Sequence, residues 1–346
     1  MIAIFISVSF CFDGRKLWET AGLHSAGNCL VLAYSCFCLA SHHLLVQDFA
    51  MQTMLEEMRR LTAHAENRPT ETGIPGILMV KGEIPEHKLG AVYEPMVNLI
   101  LDGSKTLTIA GQDYYYDPAS YFVISIDVPA TGMVQQAGPD RPYIGVSLSL
   151  DPARVAALLL DLPPQSYQEG QTGGYSVCRM TPELLGAWLR MLQLMERPQD
   201  VPALAPAYER EILYRVLQGP QGWMLRDIAA PDSALSRIRL AIRWVREHYA
   251  EAVEVEKLAA LTAMSVSAFH RHFKAVTAMS PIQFQKRIRL LQARQLLISQ
   301  SGNASSVAYS VGYESASQFT REYARFFGQP PARDASLIRE NIRPAA

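Results

Sequence analysis

Several residue types that mark particular classes of protein are scarce in this chain of 346 residues. It has only five cysteines, of which Cys11, Cys29, Cys36 and Cys38 lie in the first forty residues. Cys178 stands alone in the rest of the chain, so the sequence predicts neither a disulfide framework nor a cysteine zinc site there. A lone thiol in a polar loop can sense oxidants or electrophiles; an incidental cysteine is the alternative.

The chain also lacks an apolar run that would cross a bilayer as a helix. The first run, MIAIFISVSFCF, is too short, and residues 29–46 are interrupted by Ser35 and by two histidines. The first run also has no basic residues before it, as a signal peptide would. A conventional amphipathic start occurs only at Met51 or Met54. We therefore expect residues 1–50 to be an extension from a start assigned too far upstream, and we expect no membrane association.

Net charge is nearly absent from the whole chain, at a formal −1, but the charges are unevenly distributed. Residues 232–346 carry 16 lysines and arginines against 9 acidic residues, a net of +7, whereas the remaining residues carry 16 against 24, a net of −8. A length of 346 residues also exceeds what one core usually organises. The asymmetry favours a C-terminal domain that binds nucleic acid and a preceding module that does not.

The segment MSVSAFHRHFKAVTAMSP, residues 264–281, concentrates cationic and aromatic side chains. Ser265 as a helix cap, the helical spacing of the apolar residues and the absence of Gly or Pro before Pro281 predict a helix. His270 and His272 then point in different directions and cannot share a metal ion. The predicted buried face comprises Val266, Phe269, Phe273 and Val276, and the outward face comprises Ser267, His270, Arg271 and Lys274.

That outward face has the small and cationic side chains that contact phosphates and base edges in a DNA major groove. The alternative is a solvated basic face on a helix of the core. Residues 255–265, VEKLAALTAMS, predict a short helix and a tight turn immediately upstream. The two helices together have the spacing of a helix-turn-helix unit, which favours contact with DNA.

Residues 307–331, VAYSVGYESASQFTREYARFFGQPP, repeat this plan some fifty residues later. A short helix ends near Gly312, and Ser315 with Gln318 forms a predicted capping box at the start of the next helix. The predicted buried face comprises Phe319, Tyr323, Phe326 and Phe327, and the outward face comprises Ser317, Gln318, Arg321 and Arg325. The chain therefore contains two candidate DNA-reading helices.

Between the two units the sequence predicts an uninterrupted helix from Pro281 to about Ser299, with Ser280 and Gln283 as a second capping box. About 17 residues at 1.5 Å each span roughly 26 Å. With the width of the flanking helices added, this length is compatible with two readers about one DNA turn, roughly 34 Å, apart. The linking helix is expected to act as a rigid spacer.

Residues 236–334 resemble the DNA-binding domain of AraC-type transcriptional regulators, in which a linker helix joins two helix-turn-helix units. The resemblance is carried, in order and spacing, by LAALTAMSVSAFHRHFK, SPIQFQKRIRLLQARQLL and VAYSVGYESASQFTREYARFFGQPP. It implies base contacts by Ser267, His270 and Arg271 on the first reading helix and by Ser317, Gln318 and Arg321 on the second. Ala324 departs from the family, where a basic residue is often found, and this puts a phosphate contact there in doubt.

Between Gly76 and Leu150 the sequence changes to short β-rich runs, with turn residues about every 8 to 12 positions, which predicts an antiparallel barrel or sandwich. The stretch from Tyr93 to Val134 resembles the cupin-like N-terminal domain of one subgroup of AraC-type regulators. The expected fold class is multidomain α+β. It combines an N-terminal antiparallel cupin-like β-barrel and following helices with a C-terminal all-α domain of two helix-turn-helix units.

A β-barrel can enclose a small molecule. Enzymatic cupins commonly bind a metal through two or three histidines and a glutamate, whereas His87 is the only histidine between Gly76 and Leu150. We therefore expect no catalytic residue, no metal and no cofactor. The residues predicted to line an effector pocket are Tyr93, Glu94, Ser125 and Asp127. Exposed or turn-capping roles are the alternative, because alternation alone does not tell which face lies inside.

Helices are predicted after the strands, capped at Asp151 and Thr181 and ending at Gly219, with a loop over residues 163–177. One of them has a wide apolar face for packing on the barrel and for pairing with a second copy of the chain. That face comprises Leu184, Leu185, Trp188, Leu189, Leu192 and Met195. The predicted domains are residues 51–218 for the sensor, 219–233 for a linker, 234–334 for the DNA-binding domain and 335–346 for a tail.

These observations predict a sequence-specific DNA-binding transcription regulator that responds to a ligand, works at the nucleoid in the bacterial cytoplasm and is not an enzyme. Its expected partners are operator double-stranded DNA, a small-molecule effector, RNA polymerase and a second copy of the chain. Two alternatives remain open. One is a cupin-fold enzyme with an appended DNA-binding domain, and the other is a regulator without an effector, controlled only by its abundance.

Overall fold

The computed structural model describes residues 48–82, 89–135, 138, 141–163, 173–299 and 303–342. Residues Met54–Ala346 form one compact unit. Of the expected N-terminal extension only residues 48–50 are described, and they are helical; its four cysteines, and His87, lie outside the described residues. Within those residues, no helix is both long and apolar enough to cross a membrane.

In the described part of the chain, ten strands form two antiparallel sheets. They are β1 (Thr70–Glu71), β2 (Ile77–Gly82), β3 (Leu89–Tyr93), β4 (Met96–Asp102), β5 (Ser104–Ile109), β6 (Gln112–Tyr116), β7 (Ser120–Ile124), β8 (Val128–Gln135), β9 (Tyr143–Ser149) and β10 (Tyr175–Arg179). The six-stranded sheet has the order β1-β2-β9-β4-β7-β10, and the four-stranded sheet has the order β3-β8-β5-β6.

The two sheets pack face to face around an interior that we call the lumen. Phe122 of the six-stranded sheet stacks on Tyr116 of the four-stranded sheet, with ring centres 5.2 Å apart. The Tyr116 hydroxyl donates a hydrogen bond across the lumen to Asn98 Oδ1, at 3.1 Å. Along β5 the alternate residues Leu107 and Ile109 point inward and are fully buried. The expected antiparallel N-terminal domain is confirmed.

Strands β1, β3 and β10 are not evident in the sequence. β10 falls partly within residues 163–177, so the predicted loop is wrong from Tyr175 onward. β10 pairs along its whole length with β7 at the edge of the six-stranded sheet. A five-residue strand that follows two glycines has too little periodicity to be recognised locally, because its hydrogen bonds come from a partner distant in the sequence.

Five helices are described in the N-terminal domain. They are α1 (residues 48–61), α2 (Pro152–Leu160), α3 (Pro182–Gln193), α4 (Val201–Gln218) and α5 (Gly222–Ala229), with two short 3₁₀ turns between α3 and α4. The predicted caps are confirmed, since the Asp151 side chain accepts from the Ala153 N–H and the Thr181 side chain accepts from the Leu184 N–H. These caps fix where α2 and α3 begin.

The predicted linker over residues 219–233 contains α5 and is therefore not an open junction. Met224, Leu225 and Ile228 lie on one face of this helix and are buried. They pack toward α2 and α4, so α5 belongs to the helical layer of the N-terminal domain. The turn formers that flank α5 concealed this apolar spacing in the sequence.

The predicted apolar face of α3 is covered largely by the chain itself. Leu184, Leu185, Trp188 and Leu192 are buried, and α3 packs along α4. Pairing of two copies through this face stays a prediction. Little of the apolar surface of α3 is left for it, because most of that surface is already buried within the chain.

Seven helices follow in the residues that the structure describes up to Ile342. They are α6 (Ala234–Glu247), α7 (Val255–Leu261), α8 (Val266–Thr277), α9 (Pro281–Ser299), α10 (Ala304–Ser310), α11 (Ala316–Phe327) and α12 (Pro331–Ile342). The pairs α7–α8 and α10–α11 are the two helix-turn-helix units, and α9 lies between them. The predicted tail begins at residue 335, inside α12, where Ala335 is fully buried, so this boundary falls inside a helix.

Hydrogen bonds from α9 to backbone carbonyls hold the two units in one frame. The Gln285 amide donates to the carbonyls of Tyr249 and Glu251, which follow α6. The Arg289 guanidinium donates to the same two carbonyls and to the carbonyl of Gly312 in the turn between α10 and α11. One arginine therefore joins the segment before the first unit to the turn of the second.

A buried ion pair fastens the other end of α9. Arg294 and Asp334 are 7% and 6% exposed, and the guanidinium donates to the carboxylate through two hydrogen bonds of 2.8 and 2.9 Å. The Tyr323 hydroxyl donates to the same carboxylate at 2.8 Å, and the Arg294 guanidinium lies 4.3 Å from the ring centre of Phe327. The network joins α9, α11 and α12 and satisfies its charges within the core.

Removing one partner of this pair should be costly. We expect Asp334→Ala to lower the free energy of unfolding by about 3 to 5 kcal/mol, because the guanidinium of Arg294 is left buried without a counter-charge. Urea unfolding of the full chain measures the change. Arg333→Ala, an exposed neighbour on α12, is the matched control and should change stability by less than about 0.5 kcal/mol. Equal effects of the two substitutions would contradict a stabilising role for the network.

Candidate nucleic-acid interface

The first reading helix, α8, is fixed by a cap at each end. The Ser265 side chain accepts from the Ala268 N–H, and Ala278 ends the helix in the left-handed region at φ 58°. Phe269 and Phe273 are fully buried, with ring centres 5.4 Å apart. Val266 departs from the prediction, since it stands at the first helical position and is 38% exposed. The buried face is therefore one residue shorter than the spacing predicts.

The second reading helix, α11, has the same construction. The Ser315 side chain accepts from the Gln318 N–H, and Gly328 ends the helix in the left-handed region at φ 81°. Phe319 and Tyr323 are fully buried. Phe326 is only partly buried and lies 4.3 Å from the guanidinium of Arg287, so the flat side of an arginine covers this end of the helix.

Only one of the two predicted capping boxes is complete. Ser280 and Gln283 bond reciprocally at the start of α9, as predicted. On α11 the Gln318 side chain instead donates to Glu322, 3.1 Å away. Burial favours the neutral form of Glu322, but hydrogen bonds from Lys286, Gln318 and Tyr313 outweigh this and lower its pKa. Glu322 is therefore a charged acceptor that holds Gln318, and the sequence reasoning did not identify it.

All eight predicted DNA-binding side chains are exposed. They are Ser267, His270, Arg271 and Lys274 on α8, and Ser317, Gln318, Arg321 and Arg325 on α11. The helix that separates the two groups has 19 residues, so it spans about 28 Å. The fold therefore presents two matched polar helix faces from one rigid frame.

The four predicted effector-pocket residues lie in three different surroundings, and only Glu94 and Asp127 share one. Glu94 and Asp127 bind Arg246 on α6, with Glu94 Oε1 3.0 Å and Asp127 Oδ1 2.5 Å from the guanidinium. The Ser125 hydroxyl is buried and donates to the Gly174 carbonyl at 2.9 Å. Tyr93 lies inside the lumen, where its ring centre is 4.8 Å from the Lys105 ammonium. Of the four, only Tyr93 faces the interior where the sequence placed the pocket.

The ion pairs of Arg246 belong to a polar cleft of about 460 Å³ between the sheets and α6. Arg239, Arg243 and Arg246 line one side, and Glu94 and Asp127 line the other. Burial raises the pKa of Asp127 despite the nearby guanidinium. The cost of desolvating the carboxylate therefore offsets part of its attraction to Arg246. The cleft is a charged junction between the two domains.

Two glycines bring the domains into close contact beside this cleft. A Cβ on Gly90 of β3 would lie 2.5 Å from Leu291 Cδ2 on α9. A Cβ on Gly174 would lie 2.9 Å from the Val276 carbonyl oxygen near the end of α8. Both the linking helix and the first reading helix therefore touch the N-terminal domain at positions that accept only a hydrogen atom.

Other candidate chemistry in the described residues is limited. Burial raises the pKa of Cys178 to about 11, and the residue is 4% exposed, which favours an incidental thiol over a reactive sensor. Among the described residues, no group of three or more His, Cys, Asp and Glu side chains is arranged to hold a metal ion.

Two protein families match the chain. The family described as AraC-type transcriptional regulator N-terminus matches residues 73–224, and the helix-turn-helix domain family matches residues 258–335. The chain belongs to the AraC-type transcriptional regulators. The HTH-type transcriptional activator RhaS of Escherichia fergusonii is 29% identical over 196 residues, which cover 55% of this chain and 68% of that protein.

Two solved structures show a likeness to parts of the chain. ToxT from Vibrio cholerae, with a bound unsaturated fatty acid, is 10% identical and covers 75% of this chain and 93% of its own, with a TM-score of 0.47. The DNA-binding domain of AdpA in complex with a target DNA is 30% identical and covers 31% of this chain and 96% of its own, with a TM-score of 0.29.

In this AraC-type regulator, Arg271 and Arg321 occupy matching exposed positions of the two reading helices. We expect Arg271→Ala to weaken binding to the preferred DNA site by about 1 to 3 kcal/mol and to relax preference at one base pair. Arg321→Ala should do the same about one helical turn further along the site. Fluorescence anisotropy on single-base variants of the site measures both effects. Equal losses on random DNA would assign these arginines to phosphates instead.

The charged junction makes a separate prediction. Arg246→Ala removes both ion pairs across the cleft. Because Glu94 directly follows β3, we expect the backbone amides of β3 to exchange hydrogen faster in this variant. Arg243→Ala is the matched control, because Arg243 lines the same cleft on the same helix. Hydrogen exchange followed by mass spectrometry measures the difference. Unchanged exchange in Arg246→Ala would show that the ion pairs do not hold the domains together.

Proposed function

We propose that this protein regulates transcription by binding an operator through two reading helices at once. The observation that carries the proposal is the pair of matched helices, α8 and α11, whose predicted contact residues are all exposed and which are held on one frame by α9. The net charge of +7 over residues 232–346 supplies the attraction to a phosphate backbone.

Within this proposal the side chains divide into two roles. Ser267, His270 and Arg271 on α8 contact base edges, as do Ser317, Gln318 and Arg321 on α11. Lys274 and Arg325 lie one turn further along their helices and contact phosphates, because long cationic side chains suit the backbone. A solvated basic face is a weaker explanation, since two separate helices repeat the same exposed pattern.

We also propose that a small molecule in the lumen controls DNA binding. The N-terminal domain has an interior with polar side chains, and it touches the DNA-binding domain at Gly90, at Gly174 and through Arg246. A change inside the sheets therefore has a physical route to α8 and α9. A regulator without an effector does not account for polar side chains inside a domain that contacts the DNA-binding domain. RNA polymerase and a second copy of the chain are further proposed partners, in the bacterial cytoplasm.

The proposal assigns no catalytic role to the chain, because the relatives that it matches are transcriptional regulators. The enzyme alternative requires turnover of a small molecule by the N-terminal domain, which metal analysis and product analysis of the purified protein would detect.

The test is direct binding to DNA. Genomic footprinting of the full chain should identify an operator, and anisotropy on that operator should show affinity falling by about 0.9 log unit per log unit of salt for each phosphate contacted. We expect Lys274→Met to lower this slope by about one phosphate and to weaken binding equally on all sequences. Lys257→Met, which removes an exposed lysine at the start of α7, is the control. A folded chain without salt-dependent DNA binding would refute the proposed function.

A further inference from the structure

A lysine faces the lumen from the middle of the four-stranded sheet. Lys105 on β5 lies directly opposite Tyr116 on β6 and Val134 on β8. It shares its face of the strand with Leu107 and Ile109, which are fully buried, so its side chain points inward with theirs. Lys105 is only partly exposed, and its ammonium lies 4.8 Å from the ring centre of Tyr93. A positive charge therefore lies among the inward-facing side chains of the sheets.

Three tyrosines surround this ammonium. Tyr93 and Tyr116 each form a side-chain interaction with Lys105, and the charge also acts on Tyr143. Burial raises the pKa of Tyr116 and of Tyr143, so both phenols are neutral and can donate a hydrogen bond. Tyr116 already donates to Asn98. The phenols thus solvate the ammonium but bring no negative charge to it.

Glycines make room for two of these phenols. A Cβ on Gly132 of β8 would lie 2.8 Å from the Tyr93 hydroxyl and 3.1 Å from Lys105 Cε. A Cβ on Gly145 of β9 would lie 2.5 Å from the Tyr143 hydroxyl. The chain therefore leaves out side chains at the two places where the phenols lie over a strand. The polar cluster is built into both sheets.

The cluster lacks a negative charge and one hydrogen-bond partner. Among the described residues, no carboxylate forms an ion pair with Lys105. Tyr143 is 2% exposed, and its hydroxyl has no hydrogen-bond partner in the described structure. A cation and an unused donor held together among apolar residues are unfavourable in the empty protein. An anion that accepts from both would remove both costs.

We propose that the lumen binds a small organic carboxylate, whose oxygens accept from the Lys105 ammonium and the Tyr143 hydroxyl while its apolar body packs against the inner faces of the sheets. The inference rests on the proposed function, because it names the chemical class of the effector and the side chains that select it. A carboxylate with an apolar body fits better than inorganic phosphate, because the residues beside the cluster are Leu107, Val134 and Phe122. Each of these is buried and offers only apolar contact.

The test uses benzoate and its neutral isostere benzamide on the full chain. Thermal unfolding is followed at increasing concentrations of each, at constant ionic strength adjusted with sodium chloride. Benzoate should raise the unfolding temperature, whereas benzamide and inorganic phosphate should not. Ligand-observed NMR with the same two compounds gives the affinity. An equal response to benzamide or to phosphate, or no response to benzoate, overturns the proposal.

Two variants assign the binding to this cluster. Lys105→Met should weaken benzoate binding about tenfold or more, the loss expected for a hydrogen bond to a charged group. It should also leave the empty protein at least as stable, because an uncompensated charge is removed. Tyr143→Phe keeps the ring and should weaken benzoate binding without unfolding the chain, which keeps the test valid if Lys105→Met folds poorly. Lys257→Met, an exposed lysine, should bind benzoate as the natural chain does.

Failure of the carboxylate inference can be separated from failure of the proposed function. Operator binding by the natural chain in the absence of benzoate tests the proposed function alone, because it does not involve Lys105. If operator binding is intact and benzoate binds equally well to Lys105→Met, only the inference about the lumen is wrong.

Discussion

The structure depends on α9 packing at the same time against both helix-turn-helix units and against the N-terminal sheets. The helix is buried on nearly every side, because it lies between the two helix-turn-helix units and against the outer face of β3 and β8. Two of its buried positions are polar, Gln285 and Arg294, and both donate hydrogen bonds to partners on neighbouring elements. A helix that supplied only apolar side chains would fill the same space without fixing the two units in register. Hydrogen bonds to carbonyls and to Asp334 are directional, so they set both the spacing and the rotation of α8 and α11.

Directional contacts of this kind make the DNA-binding half stiff, and the glycine contacts extend that stiffness to the sheets. Because Gly90 already lies against Leu291, β3 and α9 cannot move toward each other. They can only separate or slide. Packed interfaces of this kind respond to small changes by switching between arrangements rather than by deforming gradually. The charged cleft around Arg246 is softer, since its ion pairs are partly exposed and contribute little stability each.

Sequence reasoning identified the parts of the fold that depend on local signals. The caps at Ser265, Ser280 and Ser315 place three helices correctly, because a cap and the apolar spacing behind it lie within a few residues of each other. The same local reasoning did not find β3 or β10, whose pairing depends on distant strands. It placed Glu94 and Asp127 in a pocket of the barrel, whereas they line a cleft shared with Arg246, which lies far along the chain.

The polar character of the lumen was hidden for a related reason. Lys105 and Gly132 are unremarkable in the sequence, and only the strand register shows that a lysine and three tyrosines share one interior. By contrast, exposure of the reading faces followed from helix periodicity alone, which needs no long-range information. Helix faces could therefore be predicted from the sequence, and the contents of the sheets could not.

Two adjacent residues at the end of β3 connect the lumen to the DNA-binding domain. Tyr93 lies against Lys105 inside the sheets, whereas Glu94, the next residue, binds Arg246 on α6 outside them. Gly90, three residues before Tyr93, contacts α9 on the outer face of the same strand. A carboxylate that bound Lys105 would compete with Tyr93 for the ammonium, and a shift of the Tyr93 backbone would also move Glu94, the next residue. Among the described strands, β3 lies at the edge of its sheet and pairs only with β8, so it is less restrained than the inner strands and suited to carry such a change toward α9.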